Sequence, residues 1–175
     1  MAQRHMHEYG TTSAQLGRLA VAMRKNAQRN PRALMRDPLT LEQHQASRII
    51  ASPFRLFDCC LETDGGCAVV VSSAEQAKTL KQSPAYISGV AMAWGRQAHS
   101  AYDNVEDFCS FGSKVAAKSV FKMAGVEPRD IKVAEIYDAF TYTALCQLED
   151  YGFCKKGEGG PFVESGAIDY PTGKL

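Results

Sequence analysis

The chain has 175 residues, of which 45% are hydrophobic and 22% are charged, and its formal net charge is +1. These proportions are typical of a globular protein, and the near-balance of charges gives no electrostatic basis for binding nucleic acid or an anionic membrane. No apolar run approaches the roughly 20 residues of a membrane span, and the N-terminus lacks a signal-peptide core, so we expect a protein of the cytoplasm or an organelle matrix.

Two capping boxes predict helices in the first part of the chain. The box Thr12–Gln15 opens a helix that should end at Asn30, which is followed by proline. The box Thr40–Gln43 opens a shorter helix that should end at Ser52, also before a proline. Two helices joined by a proline-containing loop predict a helical unit over residues 1–56.

Three apolar, β-prone segments predict buried strands at residues 67–71, 85–92 and 131–137. A polar helical segment is expected over 73–81, and the change of composition near Pro84 sets a domain boundary.

The stretch from Gly95 to Asp107 is polar and aperiodic, which favours a loop, and its His99 is expected to be a surface or structural residue. After it, Ser113 is expected to cap a helix that Gly125 ends. The order helix, strand, helix then predicts a parallel βαβ arrangement.

The strongest candidate for a functional position is the junction after the third predicted strand. Asp138 is expected to cap a helix whose apolar residues recur from Phe140 to Tyr151. In open α/β folds, the carboxyl end of a strand and the next helix N-terminus form the usual ligand crevice. Tyr137 and Asp138 occupy that junction.

The six cysteines do not predict a metal site. They are Cys59, Cys60, Cys67, Cys109, Cys146 and Cys154, and their spacing does not fit two zinc-ribbon pairs. The adjacent pair Cys59 and Cys60 is expected to be two small buried hydrophobic residues.

Several stretches resemble the thiolase family. The run GVEPRDIKVAEIYDAF, ending at Phe140, resembles the segment of sterol-carrier and lipid-transfer type thiolases in which His-Asp-x-Phe often stands at Tyr137–Phe140. The stretch from Tyr151 to Gly166 is similar to the same subfamily. The stretch from Tyr9 through Pro31, the Cys59-Cys60 pair and TDGGCAVV at 63–70 also resemble the family, in the same order.

The resemblance implies an α/β, thiolase-like fold that is partial, with a helical loop domain and parts of both core βαβ domains. Residues 1–56 would be the loop-domain segment, 57–82 the last strand of the N-terminal core domain and a linker, and 83–175 part of the C-terminal domain.

The resemblance further implies an acyl-CoA thiolase, or acetyl-CoA C-acyltransferase, that cleaves thioesters or performs Claisen condensation in lipid metabolism. Its substrate would be a coenzyme A thioester, with no separate cofactor. The family's nucleophilic cysteine lies upstream of the matching region and its Gly-His-Pro histidine lies downstream. We therefore expect a central piece of a larger enzyme, inactive by itself, in which none of the six cysteines is the nucleophile.

Tyr137 takes the position at which thiolases have the Asn or His that orients a water or donates to a thioester oxygen. A phenol there can donate to an oxyanion or act as acid or base. The alternative is a tyrosine that only anchors a strand end.

Two further sets of site residues follow from the resemblance. Arg24 and Arg29, on the basic face of the first long helix, are candidate contacts to the CoA phosphates, since arginine forks suit phosphate. The alternative for them is a solvated face. Glu158, Gly159 and Gly160 are a candidate backbone-lined loop near the substrate.

Two other functions stay open. One is a retro-aldolase of the same fold that acts on a β-hydroxyacyl-CoA with an acyl-CoA-binding partner subunit, which Tyr137 suggests. The other is a non-catalytic CoA-binding or assembly subunit. In each case a homo-oligomer is expected, because the predicted strands have too few partners to cover them.

Overall fold

The computed structural model describes residues 1–93 and 107–175, and their regular structure is mainly helical. The helices are α1 (Ala2–Tyr9), α2 (Ser13–Arg29), α3 (Leu41–Ala46), α4 (Ala74–Ala77), α5 (Ser113–Ala124), α6 (Thr141–Asp150) and α7 (Gly159–Glu164). The strands β1 (Ile49–Ala51) and β2 (Phe54–Arg55) form an antiparallel hairpin. The predicted loop from Gly95 to Asp107, with His99, lies almost wholly outside the described residues.

Both predicted capping boxes are confirmed. In α2, the Thr12 hydroxyl accepts from the Gln15 backbone N–H at 3.2 Å, and the Gln15 side chain accepts from the Thr12 N–H at 2.9 Å. Thr40 and Gln43 make the same reciprocal pair at the start of α3. The predicted end of α2 at Asn30 is also confirmed.

The expected course of α3 to Ser52 is wrong, because the helix ends at Ala46. Ile49 pairs with Arg55 and Ala51 with Phe54 in the hairpin that follows. Two consecutive β-branched isoleucines before a Ser-Pro turn favour this extended pairing over a further helical turn.

Helix α1 was not predicted from the sequence. It ends at Gly10, which has a left-handed φ of 71° and donates its N–H to the Met6 carbonyl. The helix buries His5, which is 0% exposed.

The core lies where α2, α6 and α7 pack together. Leu16 of α2 is 1% exposed, and Leu145 and Cys146 of α6 are 0% exposed. Helix α5 packs on α6 from another side. Its predicted end at Gly125 is confirmed, but the expected cap at Ser113 is wrong, because Ser113 is the first residue of the helix and no side chain caps its N-terminus. Helix α6 therefore lies between α2, α5 and α7, and most of its residues are buried.

The three predicted buried strands are not formed. Residues 67–71, 85–92 and 131–137 belong to no strand, and Val69 and Val70 are 87% and 95% exposed. Strands need a neighbour for their N–H and C=O groups, and the described residues place none beside these segments. For the same reason the expected βαβ crossover is absent from the described part of the chain. The helix expected over 73–81 is also shorter, covering Ala74–Ala77.

Candidate functional site

The junction before α6 differs from the prediction in where the helix begins. Phe140 forms an isolated antiparallel bridge with Cys59 and is extended, with φ −139° and ψ 152°. The helix therefore begins at Thr141, and the expected N-cap role of Asp138 is wrong. An extended residue held by a bridge cannot at the same time belong to the first helical turn.

Tyr137 lies at the end of the segment 131–137, which forms no strand, and the residue is 73% exposed. Its backbone carbonyl accepts a hydrogen bond of 2.6 Å from Gln147 Nε2 on α6. The same amide nitrogen also donates to the Thr143 carbonyl at 3.0 Å. The backbone is thus fixed to the helix while the phenol faces outward, where it can meet a ligand.

A second segment, residues 54–60, covers the other side of this junction. Cys60 donates its N–H to the Ala139 carbonyl at 3.0 Å. The Phe54 and Phe140 rings stack with centroids 4.9 Å apart and planes 17° from parallel. Backbone and aromatic contacts together hold the turn that follows Tyr137.

Asp58 makes the most buried polar contact of this segment and is 1% exposed. Thr141 Oγ1 donates to its Oδ1 at 2.7 Å, and the Arg55 N–H donates to its Oδ2 at 2.7 Å. His44 Nε2, also fully buried, lies 2.9 Å from Oδ1. Burial opposes the charge of the carboxylate, but these hydrogen bonds outweigh it and lower the pKa of Asp58.

An open groove of about 430 Å³ runs beside the junction. Leu19, Met23 and Asn26 of α2 form one wall, and the segment from Lys132 to Ile136, with Asp138, forms the other. Tyr137 does not line this groove. Its 73% exposed residue therefore meets solvent outside the groove that Ile136 and Asp138 border.

Arg24 and Arg29 each make an aromatic contact instead of pointing to one common site. The Arg24 guanidinium lies 5.9 Å from the centroid of the Phe57 ring and donates to the Asp37 carbonyl at 2.9 Å. The Arg29 guanidinium lies 4.2 Å from the centroid of the Tyr170 ring. Arg29 is exposed and Arg24 is half-buried, so both keep N–H groups in reach of solvent.

The predicted loop at Glu158, Gly159 and Gly160 is instead the start of α7. A Cβ on Gly159 would lie 2.7 Å from the Leu145 side chain, and one on Gly160 would overlap the Gln15 amide. These glycines allow close packing of α7 against α6 and α2. Glu158 is the exposed member of the set.

A buried charge cluster on the far side of α6 was not predicted. Glu149 Oε2 lies 3.0 Å from His5 Nε2 and 3.1 Å from Lys156 Nζ, which also binds Asp150 Oδ1 at 2.9 Å. The Glu149 and Asp150 side chains are 0% exposed. The available sequence signal was a pair of adjacent carboxylates on an otherwise uncharged helix, with a lysine a few residues later.

None of the cysteines whose pKa is shifted is an activated thiol, because each of these shifts is upward. Burial raises the pKa of Cys109 to about 11 and the pKa values of Cys146 and Cys154 to about 12. The expectation that Cys59 and Cys60 are both buried is wrong, since Cys59 is half-buried and Cys60 is exposed.

Among the described residues, no cluster of three histidine, cysteine, aspartate or glutamate side chains could hold a metal ion. Within the same ranges, no helix is both long and apolar enough to cross a membrane.

Comparison with known proteins supports the resemblance noted above. Residues 95–175 match the family described as "Thiolase C-terminal domain-like". A "Steroid side-chain-cleaving aldolase" of Thermomonospora curvata is 43% identical over 171 residues, which are 96% of this chain and 44% of that protein. An "Acetyl-CoA acetyltransferase" of Methanothermobacter thermautotrophicus is 40% identical over 167 residues, which are 95% of this chain and 43% of that protein.

A solved structure of an "Ltp2-ChsH2(DUF35) aldolase" superposes with a TM-score of 0.93 at 42% identity, covering 99% of this chain and 46% of that chain. The chain therefore spans less than half the length of these relatives. The partial thiolase-like fold expected from the sequence is confirmed, and the chain belongs to the thiolase superfamily.

Proposed function

We propose that this chain forms part of an enzyme that cleaves the bond between Cα and Cβ of a β-hydroxyacyl-CoA by a retro-aldol reaction. The observation that carries the proposal is Tyr137, an exposed tyrosine just before α6 whose backbone carbonyl is fixed by Gln147. The sequence alone left this reaction as the alternative to thiolytic cleavage.

The chemistry of a retro-aldol step suits a phenol at this position. A base takes the proton of the β-hydroxyl, the Cα–Cβ bond breaks, and its electron pair passes into the enolate of the thioester. The β-carbon becomes a carbonyl, and the enolate is then protonated at Cα. No thiolate nucleophile is required, which agrees with the raised pKa values of Cys109, Cys146 and Cys154.

The similar proteins support the same choice. The 43% identical relative is named an aldolase, and so is the solved structure with a TM-score of 0.93. That aldolase is named for two components, Ltp2 and ChsH2(DUF35). By analogy, the complete protein would act with a partner chain that binds the acyl-CoA, and it would form a homo-oligomer.

Arg24 and Arg29 are the proposed contacts to the CoA phosphates. Both lie on α2, whose Leu19, Met23 and Asn26 line the groove beside the junction. The aromatic ring under each guanidinium leaves its in-plane N–H edge available to a phosphate. The exposed Glu158 is retained as a residue near the substrate, whereas Gly159 and Gly160 are assigned to packing.

Thiolytic acyl transfer is the second candidate, because a 40% identical relative is named an acetyl-CoA acetyltransferase. That reaction needs a reactive thiolate, a base and oxyanion donors. In this alternative, Tyr137 would donate to an oxyanion, and a thiol other than the four with raised pKa values, Cys59 among them, would take the acyl group.

The test is an assay of the complete protein, with its partner chain, on a β-hydroxyacyl-CoA that carries a tertiary alcohol. Release of a ketone and the shortened acyl-CoA is expected, and Tyr137→Phe should lower kcat by about a hundredfold or more. Tyr86→Phe, at an exposed phenol outside the junction, is the matched control. Full activity of Tyr137→Phe, or cleavage only of acetoacetyl-CoA with free CoA, would reject the aldolase proposal.

A further inference from the structure

The helical unit that carries Arg24 and Arg29 is connected to the turn after Tyr137 by an unbroken series of buried contacts. A Cβ on Gly17 of α2 would lie 2.7 Å from His44 Nδ1, so α2 and α3 meet at the His44 ring. The other ring nitrogen lies 2.9 Å from Asp58 Oδ1, and that oxygen also accepts from Thr141 Oγ1 at 2.7 Å.

Every member of this series is shielded from water. His44 is 0% exposed, Asp58 is 1% exposed and Thr141 is 5% exposed. A buried carboxylate with several donors is geometrically restricted, because any displacement leaves a charged oxygen without a hydrogen bond. The series is therefore a rigid connection between α2–α3 and the start of α6.

Asp58 and Gln147 hold the turn after Tyr137 from two different parts of the chain. Gln147 holds the Tyr137 carbonyl from within α6, whereas Asp58 holds Thr141 from a segment far away in the sequence. The neighbouring bond from the Cys60 N–H to the Ala139 carbonyl, at 3.0 Å, lies on the same side as Asp58. The backbone between Tyr137 and Thr141 is thus fixed at both of its ends.

We propose that Asp58 is a positioning residue that sets the Tyr137 phenol relative to the α2–α3 unit through Thr141. This inference rests on the proposed function and adds the residues that determine the geometry of its site. The distance between the groups that hold the CoA phosphates and the group that meets the β-hydroxyl would then be set by His44, Asp58 and Thr141. A misplacement of about 1 Å at a reacting group can lower a rate about a hundredfold.

The experiment compares Thr141→Val with Thr141→Ser in the complete protein. Valine keeps the shape of threonine but removes the donor to Asp58, whereas serine keeps the donor. We expect Thr141→Val to lower kcat by about tenfold or more with KM changed less than about threefold, and Thr141→Ser to retain most of kcat. Asp58→Asn should give the same pattern, and the Thr141 pair decides the outcome if that variant does not fold.

Thr11→Val is the matched control for a loss of stability alone. Thr11 is 5% exposed and its Oγ1 lies 2.8 Å from His5 Nδ1, so this variant also removes one buried threonine hydrogen bond. We expect it to lower the melting temperature about as much as Thr141→Val while kcat stays within about twofold. An unchanged kcat in Thr141→Val, equal defects in both Thr141 variants, or an equal loss in Thr11→Val would overturn the inference.

Amide hydrogen exchange separates this inference from the proposed reaction. Exchange at the Cys60 and Thr143 amides, which donate to the Ala139 and Phe140 carbonyls, should be faster in Thr141→Val than in Thr11→Val, whatever reaction the protein catalyses. Full activity of Tyr137→Phe would reject the aldolase proposal only. Unchanged exchange at these residues in Thr141→Val would reject the positioning role of Asp58.

Discussion

Gln147 Nε2 donates to the backbone carbonyl of Tyr137 at 2.6 Å, and this bond ties the proposed reacting residue to the central helix α6. Gln147 is 8% exposed, so the bond is largely shielded from water. Its Oε1 accepts a longer bond, 3.3 Å, from the Tyr151 hydroxyl. The side chain of Gln147 thus fixes the backbone before α6 and contacts the end of the same helix.

The first prediction concerns Gln147→Leu. The change keeps a similar volume but leaves the Tyr137 and Thr143 carbonyls without this donor, so the free energy of unfolding should fall by about 1–3 kcal/mol. Tyr151→Phe removes only the 3.3 Å bond and should cost less than about 1 kcal/mol. Urea unfolding measures both. Equal losses of unfolding free energy in the two variants would show that the bond to the Tyr137 carbonyl contributes no more than the bond from Tyr151.

Local sequence signals predicted the starts of α2 and α3, whereas contacts between distant segments explain the failure at α6. The capping boxes at Thr12 and Thr40 need only residues three positions away, so the sequence contains all the information. The start of α6 depends on the bridge between Cys59 and Phe140, which no local pattern encodes.

Contacts between distant segments also decide which strands form and which residues meet at the site. The segment 67–71 has a strong β propensity, but strand formation depends on a neighbour that propensity cannot supply. The existence of a helix after Tyr137 followed from the apolar pattern between Phe140 and Tyr151, although the segment before it forms no strand. The partners of Asp58 and Glu149 did not follow from such a pattern, because His44, His5 and Lys156 come from separate parts of the chain.

The second prediction concerns Gly160, where α7 meets α2. A Cβ at this position would overlap the Gln15 amide, which itself donates to Glu164 Oε2 at 2.9 Å. Gly160→Ala should therefore destabilise the protein by about 1–3 kcal/mol, since a buried atom with no space forces its neighbours apart. Gly65→Ala is the control, because nothing lies within 4 Å of its added Cβ. Similar melting temperatures for both variants would contradict the close packing of α7.

The third prediction concerns stability at acid pH. Burial opposes the charge of Glu149, but the bond to His5 and the charges near it outweigh burial and lower its pKa from the ordinary 4.5. The pKa of Asp58 is likewise lowered from 3.8. Because the folded values are lower than the unfolded ones, this stability is present above about pH 4.5 and is lost as pH falls toward the folded values.

Melting temperatures between about pH 3 and 7 measure this effect. Glu149→Gln should lower stability at neutral pH by up to about 3 kcal/mol, because Lys156 loses a buried counter-charge and His5 loses a buried carboxylate partner, and should flatten the acid slope. Glu62→Gln, at an exposed position, should leave the slope unchanged. A full acid slope in Glu149→Gln would exclude Glu149 as its source.

The fourth prediction concerns CoA binding by the complete protein. Changing Arg24 and Arg29 together to Ala should weaken CoA binding and reduce its dependence on salt, because two positive charges near the phosphates are lost. Lys118→Ala with Lys122→Ala removes the same charge from α5 and is the control. Calorimetric titration at low and high salt distinguishes the two pairs. An unchanged dissociation constant for CoA in the arginine variant would show that Arg24 and Arg29 only form a solvated helix face.

The fifth prediction concerns self-association of the 175-residue polypeptide. Apolar side chains are widely exposed on the three extended segments, where Val70 is 95% exposed, Ile87 is 74% exposed and Val133 is 76% exposed. These segments also belong to no strand in the described structure, so their backbone groups are available for pairing with another chain. Exposed apolar surface together with strand-competent backbone favours association of copies.

We therefore expect dimers or larger assemblies whose size changes over about a hundredfold dilution in sedimentation velocity. Val70→Lys combined with Ile87→Lys should shift the distribution toward the monomer, because charges on these segments oppose both burial and edge pairing. Val115→Lys is the control, since Val115 is 64% exposed but lies on helix α5, whose backbone is already hydrogen-bonded. A single species of 19.1 kDa at every concentration, with cooperative unfolding, would contradict the prediction, because these apolar segments would then be stable in water without a second chain.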